Sequence, residues 1–163
     1  MTYDGGEMVS QIGPQPRRDF FAKVLERRNG QKRWGLGLSP IPDGTTYEDM
    51  LKDGRDFDTY LQAGGSAEAL TVELFKPDGA QWDCDSVRYV VGHPHEPGLP
   101  VDVEISMPGE LKVTAAEVFT AQEAADLFDA YHQTGELPPG YALRPAQGYR
   151  ADGTVIDIDD TPR

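Results

Sequence analysis

Alternation of apolar and polar residues marks the middle of the chain as a region of short strands. Residues 69–75 place leucine or valine at every second position, which is the period of a strand with one buried face. Residues 86–91 and 99–105 are further strand-like segments, and residues 111–118 form a possible fourth. Because turn residues separate these segments, the pattern predicts an antiparallel meander.

Helical spacing appears on both sides of this region. Thr120 and Glu123 form a T-x-x-E capping box, an apolar face follows, and Gly135 stands where a helix C-terminus needs glycine. Residues 17–28 also carry apolar side chains at helical spacing and predict a first helix. The competing interpretation of that segment is a hairpin strand that turns at residues 29–30.

These elements predict an α+β fold, a single domain with a mainly antiparallel sheet and helices packed on one face. A chain of 163 residues fits one domain. Residues 1–16 are rich in glycine, proline and polar groups and predict a flexible N-terminal segment. Residues 17–150 form the predicted domain, and residues 151–163 form an acidic tail.

The formal charge of −13 and the pI of about 4.5 restrict the class of partner. Nucleic acids and anionic membranes are bound through Lys and Arg, so both are disfavoured, and a basic protein partner is favoured. The simpler explanation is that the acidity only maintains solubility. With one cysteine, no signal-peptide pattern and no apolar run of ~20 residues, the expected location is cytoplasmic.

Little in the sequence suggests catalysis. His93 and His95 lie near Cys84, but a zinc site needs three or four ligands and no second cysteine is present. Asp83 and Asp85 flank Cys84, and their negative charge disfavours the thiolate that a nucleophile requires. We therefore expect no metal, no cofactor and no catalytic residue, with an enzyme using Cys84 and a histidine as the competing hypothesis.

A glycine-rich segment just before the first central strand is predicted to be a projecting loop. Leu61 would hold the loop in the core, while Gly64, Gly65 and Ser66 would let its backbone approach a partner closely. Gln62 would present a carboxamide, which offers two hydrogen-bond donors and an acceptor. An ordinary polar loop is the alternative interpretation.

The same segment carries a family resemblance. The stretches YLQAGGSAEALTVE (60–73), SVRYVVGH (86–93), EVFTAQEAA (117–125) and YALRP (141–145) resemble actinobacterial immunity proteins. The similarity spans about residues 17–150. It is to the family of the immunity factor for the tuberculosis necrotizing toxin, whose members inhibit secreted NAD⁺ glycohydrolase toxins.

The resemblance implies a cytosolic antitoxin that binds the catalytic domain of its cognate toxin one to one and blocks the active site. It assigns to Gln62 the role of a glutamine that enters the substrate site, where its carboxamide has the hydrogen-bonding pattern of nicotinamide. Asp56 and Asp58 are expected to meet Arg or Lys of the toxin. The alternative is an immunity or interaction domain for an unrelated effector, bound through the face of the sheet.

Overall fold

The strands of the protein form one sheet in the computed structural model, which describes residues 1–4, 8–53, 57–94 and 113–158. Within these ranges three helices accompany the sheet. The strands are β1 Thr2–Tyr3, β2 Met8–Val9, β3 Gly35–Leu38, β4 Tyr60–Ser66, β5 Ala69–Lys76, β6 Ser86–Gly92, β7 Val118–Phe119, β8 Ala142–Tyr149 and β9 Val155–Asp157. The helices are α1 Arg18–Leu25, α2 Tyr47–Lys52 and α3 Ala121–Thr134.

All pairings between the described strands are antiparallel, and their order is β2-β1-β3-β4-β5-β6-β8-β9. The short strand β7 pairs with one end of β5 beside this path. Strands β4 and β5 therefore lie at the centre of the sheet. The predicted α+β class with an antiparallel sheet is confirmed.

One face of the sheet carries the main core. Leu61 of β4 and Leu70, Val72 and Leu74 of β5 are fully buried there, in one cluster with Phe128 of α3. Each buried side chain of this size contributes about 1.5–3 kcal/mol through removal from water. The alternation along residues 69–75 is thus explained, because every second side chain of β5 lies in the core cluster that also contains residues of α1 and α3.

The helix ends agree in part with the sequence. Thr120 caps α3 through the predicted capping box with Glu123, and Gly135 ends the helix at φ 73°. The segment from Arg18 to Leu25 is a helix and not a hairpin strand. No helix in the described ranges is long and apolar enough to cross a membrane.

Both ends of the chain contribute strands to the sheet. Thr2 pairs with Gly37 of β3, and Met1 is buried, which differs from the loose N-terminal segment that the composition predicted. Val155–Asp157 of the predicted tail pairs with β8. These short strands form because existing strand edges supply their hydrogen-bond partners, and composition does not report those edges.

The structure tests the predicted strands after β6 only in part. The predicted strand at residues 99–105 lies outside the described residues. From the predicted strand at residues 111–118, Ala115–Glu117 forms a short 3₁₀ turn and only Val118 continues into a strand. Strand β8 extends from Ala142 to Tyr149 along β6.

Candidate functional site

The hairpin β4–β5 places Gln62 on the face of the sheet opposite α1 and α3. Gln62 pairs with Glu73, and Tyr60 pairs with Phe75, while Leu61 between them points into the core. Neighbouring strands extend this set of side chains across the sheet through their register. We call it the second face, and it comprises Tyr60, Gln62, Glu73, Phe75, Arg88, Gln147 and Tyr149.

A chain of polar contacts crosses the second face. The Gln62 amide donates to the Glu73 carboxylate, and Arg88 Nε lies 3.8 Å from Glu73 Oε1. Arg88 also donates to Gln147, whose Oε1 accepts a second hydrogen bond from the Tyr149 hydroxyl at 3.0 Å. Glu73 is only 2% exposed, so its charge depends on these two neighbours for compensation.

Aromatic rings line one side of this polar chain. Tyr60 stacks on Phe75 with 4.8 Å between ring centroids, and Phe75 meets Tyr149 at 5.5 Å. Burial raises the pKa of Tyr60 to about 12, and burial also raises the pKa of Tyr149. Both phenols are therefore neutral at physiological pH and serve as half-buried contact surface with a polar end.

A cleft of about 310 Å³ opens beside Gln62, where β3 and β4 carry glycines. Gly35 lies opposite Gly64 and Gly37 opposite Gln62, so three of these four positions have no side chain above the sheet. At Gly37 an added Cβ would lie 2.3 Å from Thr2 Oγ1, so a side chain there would displace the Thr2 hydroxyl. The lining comprises Thr2, Asp4, Trp34, Gly35, Leu36, Gly37, Ser39, Phe57, Tyr60, Gln62, Ala63, Gly64 and Glu73.

Asp4 holds the N-terminal edge of the cleft in place. Its Oδ1 accepts hydrogen bonds from the main-chain N–H of Trp34 at 2.7 Å and of Gly35 at 3.0 Å. Arg28 Nη1 donates to the same oxygen at 3.1 Å and to the Gly35 carbonyl at 2.8 Å. Burial lowers the pKa of the Arg28 guanidinium while Asp4 opposes that shift, which is the balance expected for a buried ion pair.

The predicted projecting loop is wrong, because these residues form the central strand β4. Leu61, Gly64 and Gly65 are buried and Ser66 is half-buried. Ser66 pairs with Ala69, so the hairpin turns at the two residues between them. Glycine, alanine and serine indicate a loop by composition, but β3 and β5 hydrogen-bond this segment on both sides, and that pairing overrides the local preference.

The predicted partner-binding residues therefore occupy different places. Gln62 lies on the second face and lines the cleft. Asp58 is exposed two residues before β4 and does not line the cleft. Asp56 lies outside the described residues.

Sequence reasoning missed several residues of this site. Glu73 and Arg88 were assigned to strands but not to a network, and Asp4 and Trp34 come from segments far from Gln62 in sequence. One signal was present, since β3 reads Gly-Leu-Gly-Leu and its leucines alternate with glycines. With leucine buried on one face, that pattern predicts a strip without side chains on the other face of the strand.

Cys84 and His93 occupy packed positions. Cys84 Sγ lies within hydrogen-bonding distance of the Gly79 carbonyl at 3.4 Å, and a Cβ added at Gly148 would lie 2.6 Å from this sulfur. His93 stacks on Phe119 at 4.2 Å. Among the residues that the structure describes, no three His, Cys, Asp or Glu side chains are grouped to hold a metal ion. His95 lies outside that set.

Comparison with protein-family models, curated proteins and solved structures found no match to the chain.

Proposed function

We propose that this protein is an immunity protein that binds the catalytic domain of a secreted NAD⁺ glycohydrolase toxin one to one through the second face. The observation that carries the proposal is the set of half-buried polar and aromatic side chains around a cleft. Gln62 stands at its centre, with Tyr60 and Arg88 close by. Tyrosine and arginine are enriched where proteins bind one another, because they combine large contact area with directed hydrogen bonds.

The charge of the chain supports a protein partner with a basic surface. A net charge of −13 speeds association with such a partner through long-range attraction. An interface of ordinary size buries ~1,600 Å² in total, so contact with a toxin domain would extend beyond the cleft over the neighbouring strands. The sequence resemblance supplies the proposed class of toxin.

The position of Gln62 favours contact through the sheet over insertion of a loop. Its main chain is paired on both sides, and its amide already donates to Glu73. Turning the whole carboxamide into a toxin pocket would release a buried carboxylate, at a cost of about 1.5–3 kcal/mol, whereas the carboxamide in place still offers its oxygen and its second N–H. In the proposed complex the Gln62 oxygen therefore accepts a hydrogen bond from the toxin, while its amide group stays with Glu73.

The experiment is co-expression of the chain with a panel of toxin catalytic domains that includes NAD⁺ glycohydrolases and nucleases. Cell growth and cellular NAD⁺ content report protection, and calorimetry on purified pairs gives the affinity. We expect Gln62→Ala to weaken binding to the protected toxin at least tenfold, which is about 1.4 kcal/mol. Gln31→Ala changes the same residue type at an exposed position outside the cleft and should bind like the wild type.

Each result has a defined meaning. Unchanged inhibition by the Gln62 variant, shown to be folded by its circular dichroism, would reject a role for this carboxamide. Protection against a nuclease and against no NAD⁺ glycohydrolase would reject the proposed toxin class in favour of an unrelated effector bound through the same face.

A further inference from the structure

The cleft beside Gln62 has the shape and chemistry of a site for a planar cation. We propose that it receives an arginine side chain of the bound protein, as the anchor of the interface. This inference rests on the proposed function, because it assigns the partner group that enters the second face.

The shape of the cleft suits a flat group. Gly35 and Gly64 face each other on adjacent strands and place no side chain over the sheet between the aromatic walls that Trp34, Phe57 and Tyr60 provide. A planar guanidinium can lie along a wall of this kind and gain cation–π attraction. Lysine fits less well, because its ammonium group is compact and strongly hydrated.

The charge of the lining selects a cation. Among the described residues of the lining, Asp4 and Glu73 are the charged members, and the arginines that pair with them, Arg28 and Arg88, do not line the cleft. Within this described lining no cationic side chain therefore competes with an incoming arginine.

Hydrogen-bond acceptors remain available around this charge. Within the part of the chain that the structure describes, the three hydrogen bonds to Asp4 all enter Oδ1, and the Gln62 oxygen accepts none. Glu73 Oε1 also accepts no hydrogen bond from a described residue, and its ionic neighbour Arg88 Nε lies 3.8 Å away. A guanidinium carries five N–H donors in a fixed plane and can use several acceptors at once.

The test uses the isolated protein and a small probe. N-acetyl-arginine amide is titrated into ¹⁵N-labelled protein, with N-acetyl-citrulline amide as the neutral probe of the same shape. We expect the arginine probe to shift the amide resonances of Gly35, Gly37 and Gly64 and the indole resonance of Trp34, with at least fivefold tighter binding than citrulline. Glu73→Gln should remove that preference, and Glu68→Gln, the same change at an exposed position outside the cleft, should keep it.

Equal binding of the two probes to the wild type would overturn the proposal, as would shifts spread over the acidic surface without the cleft resonances. The spectra also report whether the Glu73→Gln variant is folded. The comparison of the two probes on the wild type tests the proposal even if the variant does not fold. If the protein protects against a toxin but its cleft does not prefer the arginine probe, the anchor site alone is rejected. If the cleft prefers the arginine probe but the protein protects against no toxin of the panel, the proposed function alone is rejected.

Discussion

The hydrogen bond between Gln62 and Glu73 links the candidate site to the stability of the fold. Gln62→Ala removes the donor from a carboxylate that is 2% exposed and leaves it with Arg88 Nε at 3.8 Å. Water does not replace the lost donor easily at a buried site, so the variant should be less stable than the wild type.

The size of the effect follows from the kind of hydrogen bond that is lost. A hydrogen bond to a charged group contributes about 1.5–3 kcal/mol, against roughly 1 kcal/mol for a neutral pair. We expect Gln62→Ala to lower the free energy of unfolding by about 2 kcal/mol, which for a chain of this length lowers Tm by roughly 4–8 °C. In a Glu73→Gln background the same change should cost only about 1 kcal/mol, so the two positions couple by about 1 kcal/mol.

Urea denaturation of the four proteins of this double-mutant cycle, followed by tryptophan fluorescence, measures the coupling. Gln31→Ala serves as the matched control and should change stability by less than about 0.5 kcal/mol, because Gln31 is exposed. If Gln62→Ala lowers the free energy of unfolding by less than about 0.5 kcal/mol, Gln62 is not the donor that stabilises Glu73. An equal loss in the wild type and in the Glu73→Gln background would refute the same assignment.

Two further predictions concern titration. The main-chain N–H and hydroxyl of Thr120 hold the pKa of Glu123 below its ordinary 4.5, so this stabilisation is full above about pH 4.5 and is lost as the pH falls through the folded pKa. Thr120→Ala should cost about 1 kcal/mol at pH 7 and less at pH 3 in urea denaturation, and a pH-independent cost would contradict the mechanism. Burial raises the pKa of Tyr60 from 10.0 to about 12, so its contribution to stability is lost as the pH rises from 10 to 12. Ultraviolet titration should show one late-ionising phenol fewer in Tyr60→Phe, and an unchanged titration curve would exclude this assignment.

The N-terminal region contains two ion pairs and a helix cap that the structure defines. Two arginines near the N-terminus pair within the chain, since Arg18 contacts Asp126 and Arg28 contacts Asp4. Asp19 stands at the start of α1, where an acidic residue often caps a helix, but the N-cap is Arg17 and makes no side-chain hydrogen bond. A cap depends on the local backbone angle, which a sequence pattern indicates only within one or two residues.

The sequence by itself determined the elements whose signal is local. The leucine and valine alternation of β5 and the capping box and apolar face of α3 appear in the structure as predicted, because one segment contains all the information that each needs. The local sequence did not decide between loop and strand at residues 61–66. Its composition resembles a loop, and only pairing with both β3 and β5 makes it a strand.

Tertiary structure alone decided the candidate site. Asp4, Trp34, Gln62 and Glu73 come from separate parts of the chain and meet only because antiparallel pairing sets β1, β3, β4 and β5 side by side in a particular register. A shift of one residue in the pairing of β4 or β5 with its neighbours would turn Gln62 or Glu73 toward the core. Register depends on contacts between distant segments, so the cleft and its charge cannot be read from any one segment of the sequence.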